Sequence, residues 1–452
     1  MMLSSTWRRV RHEPKRGNNS NVRRWACRRR ICNIREDYVR LLPLLFACYV
    51  LAYLDRINVG FAQLQMKSDL AFSDAVYGLG AGIFFVGYFL FEVPSNLLLQ
   101  KIGARKTITR IMVMWGLISM GMSLVHAPWS FYLLRFLLGI FEAGFFPGII
   151  LYLTYWYPAR YRARVIAVFS SAFAVAGVVG GPLSGWIMND MAGYWGLEGW
   201  RWMFIIEGLP TCLLGIVVFF FLDDKPTAAT WLSDDEKKFV QGEIDAENAS
   251  GPSKHGLSSY LIAMRDPKIY VLSLSWFFFV CGIYMMSFWL PTIVKEMGVS
   301  NPLHVGFLTA IPFTVATVGT ILIGMHSDRR LERRWHCALP AGIAGAALIG
   351  LIFVHGNVYL SFVLLSLASL GIVTTVPQFW AILSEYLKGT AAAGGIAFVN
   401  SLGLIGGFAS PFALGWIKTS TGSLDMGNWL VGSGMVLGGV LILLAVRPRE
   451  CV

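Results

Sequence analysis

Residues 41–62 read LLPLLFACYVLAYLDRINVGFA, an almost uninterrupted apolar run. An α-helix needs about 20 such residues to cross the hydrocarbon core of a bilayer. Similar runs recur from there to the C-terminus of the 452-residue chain, in which 56% of residues are hydrophobic and 14% are charged. A soluble domain carries about 25% charged residues. The sequence therefore predicts an all-α membrane protein and excludes a soluble fold.

The apolar runs fall into two sets of six. We place the first set near residues 41–62, 77–99, 108–126, 130–152, 164–188 and 201–222, and the second near 269–292, 303–325, 336–355, 357–383, 393–417 and 427–446. These sets predict twelve transmembrane helices in two six-helix bundles, 37–223 and 269–447, followed by a short tail, 448–452. The polar segment 224–268 is predicted to be a cytoplasmic linker, and a surface helix with solvated charges is favoured there over a regulatory site.

The formal charge of +12 is concentrated at the N-terminus. Residues 1–36 hold eleven basic and two acidic residues, and we expect a disordered cytoplasmic tail. Three interpretations of such a tail are open: it fixes the topology of the first span, it binds anionic lipid, or it is upstream sequence read from too early a start codon. Because most of the charge lies in this tail, nucleic acid is not expected as a partner, whereas the lipid bilayer is.

Short basic loops predict the orientation of the chain. Lysine and arginine accumulate on the cytoplasmic side of a membrane. The basic clusters follow spans 2, 4 and 8, and comprise Lys101, Arg105, Lys106 and Arg110, then Arg160, Arg162 and Arg164, then Arg329, Arg330, Arg333 and Arg334. Both termini are therefore predicted to be cytoplasmic, in a multi-pass protein of the inner (plasma) membrane.

The two sets of spans resemble each other, which indicates an internal duplication. Lys101, Arg105 and Lys106 after span 2 have the same spacing as Arg329, Arg333 and Arg334 after span 8. A Gly-rich run ending in Gly-Trp-Ile surrounds Pro182 in span 5, and a similar run surrounds Pro411 in span 11. A parallel repeat of this kind implies a substrate site between the halves near the bilayer midplane, reached by alternating access.

Few ionisable residues fall within the spans. They are Asp55, Arg56, Glu92, Arg135, Glu142, Glu207 and Glu385. A charge at this depth costs several kcal/mol unless it is paired or hydrated, so each is a candidate functional residue. Asp55 and Arg56 with Arg135 and Glu142 provide two acid and base pairs. A static ion-pair network is the alternative, but a site that exchanges protons for an anion explains two such pairs better.

The run YLDRINVGFA at 53–62 resembles the first helix of the anion:cation symporters of the major facilitator superfamily. The resemblance continues through FEVPSN at 91–96, KIGARK at 101–106, RFLLG at 135–139 and EAGFFPG at 142–148, and covers nearly the whole chain. Within that family it is most similar to bacterial tartrate, hydroxyphenylacetate and phthalate permeases. It implies the major facilitator fold, with no cofactor.

The resemblance also implies residue roles. In the sugar-acid symporters, the acid before the helix 1 arginine and the glutamate of helix 4 carry protons, which implies Asp55 and Glu142. Arg56 then binds the substrate carboxylate. The remaining pocket residues implied are Tyr53, Tyr88, Arg135, Trp380 and Asn400.

The sequence departs from those relatives in its pocket and in one loop. Phe173 falls where they have a glutamine, and Pro377 and Phe379 fall near Trp380 where they have hydroxyls, so a less polar pocket is expected. For gating we expect Gln100 and Arg105 after span 2, and Asp328 and Arg329 after span 8. Because Gln100 replaces the usual acid, the acid-to-arginine latch is better supported in the second half.

The sequence thus predicts proton-coupled symport of a small organic acid anion, such as tartrate or an aromatic carboxylate, by a monomer. The rival is a proton-driven exporter of drugs or metabolites, because the glycines of span 5 resemble an antiporter signature. A transport-dead sensor would be expected to carry a signalling domain. An enzyme is not expected, since the histidines form no catalytic constellation, and the seven scattered cysteines predict neither a disulfide framework nor a metal site.

Overall fold

In the computed structural model, which describes residues 19–250, 265–387 and 391–446, twelve helices are long and apolar enough to span a membrane. This confirms the predicted fold class. We number them as follows: α1 Arg40–Asp69, α2 Asp74–Ile102, α3 Ala104–Leu124, α4 Pro128–Trp156, α5 Arg164–Asp190, α6 Gly199–Phe221, α7 Pro267–Glu296, α8 Pro302–Arg330, α9 Arg334–Phe353, α10 Val358–Tyr386, α11 Gly395–Thr421 and α12 Asp425–Ala445.

The segments outside the spans differ from expectation at one place. The helix that contains α1 begins at Asn19, so residues 19–36 are helical rather than disordered, while residues 1–18 lie outside the described part of the chain. In the linker a surface helix, Asp234–Ser250, has three acidic residues in its first turn, where they complement the helix dipole. Residues 251–264 and 447–452 lie outside the described residues.

The packing of the helices repeats between the two halves. Within the first bundle α3 packs on α6 and α2 on α4; within the second, α9 packs on α12 and α8 on α10. Between the bundles α5 packs on α8, and α2 packs on α11. These two pairs are equivalent, because the duplication relates α2 to α8 and α5 to α11. Helix α1 packs on α7 along the centre. The duplication expected from the sequence is therefore present in the packing.

Helix α4 is broken immediately after Glu142. Its first part is Pro128–Glu142 and its second part is Phe145–Trp156, with Gly144 between them at a φ of 86°. Glycine reaches this left-handed conformation at little cost. A Cβ at Gly144 would also lie 2.6 Å from the Cβ of Ser95 on α2. The break thus places a carboxyl group at the end of a half-helix in the middle of the bundle.

Contacts between the bundles concentrate at one end. We call the end with the loops α2–α3, α4–α5 and α8–α9 the basic end, and the other the distal end. At the distal end the Nε2 of Gln63 donates to the carbonyl of Phe288 at 2.6 Å, and the Nζ of Lys295 donates to the carbonyl of Leu64 at 2.7 Å. Asn301 and Asn189 share a side-chain hydrogen bond of 2.9 Å. The bundles are therefore closed against each other at the distal end.

The glycines of α5 permit this closure. A Cβ at Gly181 would lie 2.5 Å from the Oγ1 of Thr309 and 2.6 Å from the carbonyl of Gly306, both on α8. A Cβ at Gly185 would lie 2.5 Å from the carbonyl of Pro302. Small residues let helix backbones approach closely in membranes, so the glycine signature of span 5 forms the contact between the two bundles.

Gly181→Val should open the distal end. Overpacking costs about 1–3 kcal/mol, which corresponds to a roughly 5- to 150-fold smaller closed population. The measurement is thiol cross-linking between cysteines placed at Asn189 and Asn301. The control is Gly342→Val, because nothing lies within 4 Å of a Cβ at that position in α9. Equal cross-linking in the Gly181 and Gly342 variants would contradict this role.

Candidate functional site at the interface of the bundles

Arg56 and Asp55 point to different surroundings. Neighbouring residues on an α-helix are separated by about 100° around its axis. Arg56 faces the second bundle and forms an ion pair with Glu142 of α4. Its Nη1 also lies 3.5 Å from the hydroxyl of Tyr284 on α7. Both bundles therefore contact the same guanidinium.

The Arg56–Glu142 pair is buried but incompletely bonded. The side chain of Arg56 is 15% exposed, and that of Glu142 is 0% exposed. Among the described residues, the Nε of Arg56 and the Oε2 of Glu142 have no hydrogen-bond partner. Breaking a buried pair leaves an uncompensated charge, which costs about 3–5 kcal/mol. An incoming carboxylate can take the place of Glu142 on Arg56, provided that Glu142 is then neutralised.

Aromatic rings surround the pair. The guanidinium carbon of Arg56 lies 5.5 Å from the ring centre of Phe84 and 5.6 Å from that of Tyr88, both on α2. The ring of Tyr53 packs at 4.3 Å on that of Phe173, and its hydroxyl lies 3.2 Å from the Oγ of Ser287 on α7. Tyr53 and Tyr88 therefore lie near the ion pair together with Phe84 and Phe173, and their part in substrate binding stays a prediction.

Arg135 is not at the pocket in this conformation. It is buried, and its Nε and Nη2 donate to the carbonyls of Gly80 and Ala81 at 3.2 and 3.3 Å. The ring of Phe84 lies between the two arginines, 5.0 Å from the guanidinium carbon of Arg135. The donors of Arg135 join α4 to α2 here, and its predicted contact with substrate stays a prediction.

Asp55 also lies away from the pocket. Its Oδ1 accepts from Ser119 of α3 and its Oδ2 from Thr211 of α6, both at 2.8 Å. The side chain is buried within the first bundle. Two hydroxyl donors stabilise a carboxylate there in place of a cation. Of the two predicted proton carriers, Glu142 alone is paired with Arg56.

Polar groups extend from Arg56 toward the basic end. Tyr88 and Glu92 are four residues apart on α2 and so lie on one face. The Oε1 of Glu92 lies 3.4 Å from the Nδ2 of Asn400 on α11, which joins the two bundles. One turn along α11 from Asn400, a Cβ at Gly403 would lie 2.3 Å from the Nε1 of Trp276. These contacts place Asn400 beside the pocket rather than at its centre.

Trp380 belongs to an aromatic cluster of the second bundle. Its ring lies 5.0 Å from that of Trp276, which stacks on Phe379 at 4.8 Å. Trp276, together with Tyr284, Ser287 and Phe84, was missed by the sequence analysis. The hydroxyls at 284 and 287, three residues apart in an apolar run, were the available signal for α7.

The latch of the second half involves Arg333 rather than Arg329. Asp328 pairs with the Nη2 of Arg333 at 3.0 Å, and the Nε of Arg333 donates to the Oε1 of Glu385 at 2.9 Å. Arg329 is exposed. Arg333, the equivalent of Arg105 in the repeat, therefore makes the contact with Asp328 that was expected of Arg329. The loop is also ordered by Glu332, which accepts from the backbone N–H of Trp335 at 2.7 Å.

Glu332 remains ionised in that loop. Partial burial alone would raise its pKa, but the hydrogen bonds from the backbone N–H of Trp335 and from His336 outweigh burial and lower the pKa. A carboxylate at the start of α9 also complements the helix dipole. The negative charge next to Arg333 therefore persists near neutral pH.

The latch of the first half is built differently. Gln100 is exposed, and the backbone N–H of Arg105 donates to the Oδ1 of Asp224 at 2.8 Å. Asp224 follows α6 and also lies against Gly103, whose φ is 96°. The guanidinium carbon of Arg105 lies 4.4 Å from the ring centre of Phe219. An acid from the segment after α6 thus contacts the loop where Gln100 replaces the usual acid.

Comparison with known proteins assigns the family. The family model described as "Major Facilitator Superfamily" matches residues 45–411. The chain belongs to the major facilitator superfamily. Members of this superfamily are transporters rather than enzymes, so this chain is a multi-pass membrane transporter.

Three proteins that are similar to this chain show which kinds of transporter it resembles. A protein of Agrobacterium vitis named "Putative tartrate transporter" is 45% identical over 92% of this chain and 94% of its own. The "Quinolone resistance transporter" of Acinetobacter baumannii is 40% identical over 92% of this chain and 95% of its own. The xylose transporter XylE of E. coli, in a partially occluded inward open conformation, shares 13% identity and the fold, with a TM-score of 0.73 over 91% and 98% of the two chains.

Arg333→Ala should destabilise the basic end of the second bundle, whereas Arg329→Ala should not. Surface ion pairs contribute roughly 0.2–1 kcal/mol each, and Arg333 joins two carboxylates. We expect the apparent unfolding temperature of the purified protein to fall by about 2 °C in the first variant. Thermal unfolding in detergent measures it. A larger effect from Arg329→Ala would restore the original assignment.

Proposed function

We propose that the chain is a secondary active transporter that takes up a small organic acid anion together with protons. The observation that carries this proposal is the Arg56–Glu142 ion pair between the bundles, with Tyr284 of the second bundle on the same guanidinium. Arg56 offers a planar fork of donors that suits a carboxylate. Glu142 offers an acceptor for a proton once its partner is taken.

Transport follows from competition for Arg56. In the empty protein Glu142 neutralises the arginine. When a substrate carboxylate binds Arg56, Glu142 is left as a buried anion, and taking up a proton removes that cost. With substrate on Arg56 and a proton on Glu142, the site no longer holds an unpaired carboxylate at Glu142. The bundles can then rock so that the distal contacts open. Asp55, behind α1, is the second proton carrier.

The surroundings of Arg56 favour a compact or flat carboxylate. Phe84, Tyr88 and Tyr284 bring rings to the guanidinium, and Phe173 adds an apolar wall beside Tyr53. Tyr53, Tyr88, Trp380 and Asn400 would line the pocket as it closes. An aromatic carboxylate fits these rings, and tartrate is supported by the name of the relative from Agrobacterium vitis.

The basic end is proposed to face the cytoplasm. The positive-inside rule puts the arginine-rich loops there, with both termini on that side of the inner membrane and the chain acting as a monomer in the lipid bilayer. Because the distal end is closed in the structure, the described conformation is then the inward-facing one. Gating by Asp328 with Arg333, and by Arg105 with Asp224, would operate at the same end.

Arg56→Ala should abolish uptake. Loss of charge-assisted hydrogen bonds costs about 1.5–3 kcal/mol, a roughly 10- to 150-fold weaker apparent affinity. Uptake of labelled L-tartrate and of benzoate into proteoliposomes with an acidic exterior measures it. Arg56→Lys should retain part of the activity, since it keeps the charge without the fork. Arg329→Ala is the control for removing an exposed arginine, and normal uptake by Arg56→Ala would remove the proposal.

A proton-driven exporter is the second candidate. The relative named for quinolone resistance favours it. The glycines of α5 that resemble an antiporter signature do not decide the question, because they form the contact with α8 whichever way substrate moves. With an acidic exterior, a symporter accumulates the anion inside proteoliposomes, whereas an exporter expels preloaded drug or anion. Expulsion of a fluoroquinolone without accumulation of any tested anion would favour the exporter.

A further inference from the structure

A second polar cluster lies within the first bundle, behind Arg56. It is formed by four helices. Asp55 and Asn58 come from α1, Ser119 from α3, Ser184 from α5, and Glu207 and Thr211 from α6, and all six side chains are buried. No lysine or arginine donates to any of them in the hydrogen bonds of the described residues. The two carboxyl groups therefore share this buried surrounding with hydroxyl, amide and indole groups, and no cation of the described residues donates to them.

The two carboxyl groups are placed side by side by helix geometry. Residues four apart on a helix share a face, so Glu207 lies beside Thr211, whose Oγ1 donates to Asp55. Asn58 is three residues from Asp55 and lies beside Glu207. The same helix pair, α1 and α6, thus brings Asp55 against Thr211 and Asn58 against Glu207.

The hydrogen bonds of the two carboxyl groups differ. Both oxygens of Asp55 accept hydrogen bonds of 2.8 Å from hydroxyls, which suits an ionised group. In the described part of the chain, the Oε1 of Glu207 accepts one, from Ser184 at 2.7 Å, and its Oε2 has no hydrogen-bond partner. Asn58 is 0% exposed, yet neither its Oδ1 nor its Nδ2 has a hydrogen-bond partner in the residues that the structure describes. An amide fully buried without a hydrogen bond costs about 1–3 kcal/mol.

We propose that Glu207 is a third proton-binding carboxyl group, which holds its proton on the unpartnered Oε2. This one proton leaves a single negative charge on the pair Glu207 and Asp55. Two neighbouring carboxyl groups in an apolar site do not both ionise. The inference deepens the proposed function, because it adds a proton site to the same coupled cycle.

A proton fits this cluster better than a metal cation. Hydroxyl and carboxylate oxygens lie 2.7–2.8 Å apart here, which is the usual length of an O–H···O hydrogen bond. A hydroxyl that ligates a cation must turn its hydrogen away from the site. The groups facing Glu207 are Asp55 and Asn58 from α1, Ser184 from α5 and, beside Thr211, Ser119 from α3. The nearest arginine, Arg56, is engaged with Glu142 on another face of α1.

Infrared spectroscopy of the purified, reconstituted protein tests the proposal without substrate. The C=O stretch of a protonated carboxyl group is separate from that of a carboxylate. At neutral pH we expect Glu207→Gln to lose one protonated-carboxyl band, Ser184→Ala to shift that band, and Asp55→Asn to shift it as well. Glu385→Gln, at the paired and exposed basic end, is the matched control and should leave the band unchanged.

Two results would overturn it. The first is an unchanged band in folded Glu207→Gln, or an unshifted band in folded Ser184→Ala if the former variant does not fold. The second is loss of the band when sodium chloride replaces choline chloride at constant pH, since a cation would then occupy the site. A failure of organic anion uptake would remove the proposed function but would leave these spectra, and this proton site, unaffected.

Discussion

The structure depends on keeping an arginine charged at the interface between two helical bundles. A guanidinium in this setting needs a counter-ion, and Glu142 supplies it from the first bundle while Tyr284 contacts it from the second. Because breaking a buried pair is costly, binding of an anion, release of Glu142 and uptake of a proton become linked steps. Anion binding and proton uptake are therefore coupled by the need for charge neutrality at one site.

The geometry of α2 and α4 holds the Arg56–Glu142 pair in place. Gly144 breaks α4 directly after Glu142, and Arg135 joins α4 to α2 through two backbone carbonyls. The ring of Phe84 lies between Arg135 and Arg56. The first bundle thereby keeps one arginine as a brace and leaves the other in contact with the second bundle, where movement of the bundles can change its surroundings.

The fold could be predicted from sequence because bilayer thickness sets the length of each span. Side-chain direction could not be predicted equally well. Arg135 was expected in the pocket, but glycines at 80 and 139 bring α2 and α4 so close that Arg135 reaches the backbone of α2. Adjacent residues such as Asp55 and Arg56 point about 100° apart around the helix axis. Which of the two faces the second bundle depends on how α1 is rotated in the packed bundle. Arg333 was missed although the repeat spacing pointed to it.

The most direct measurement is proton exchange on ligand binding, with purified protein in weakly buffered detergent solution and a pH indicator dye. If the pair works as described, adding L-tartrate or benzoate near neutral pH causes proton uptake in the wild-type protein, and Glu142→Gln binds the same anion with less uptake. Binding that takes up no proton, or equal uptake in Glu142→Gln, would contradict the link between Arg56, Glu142 and the transported anion.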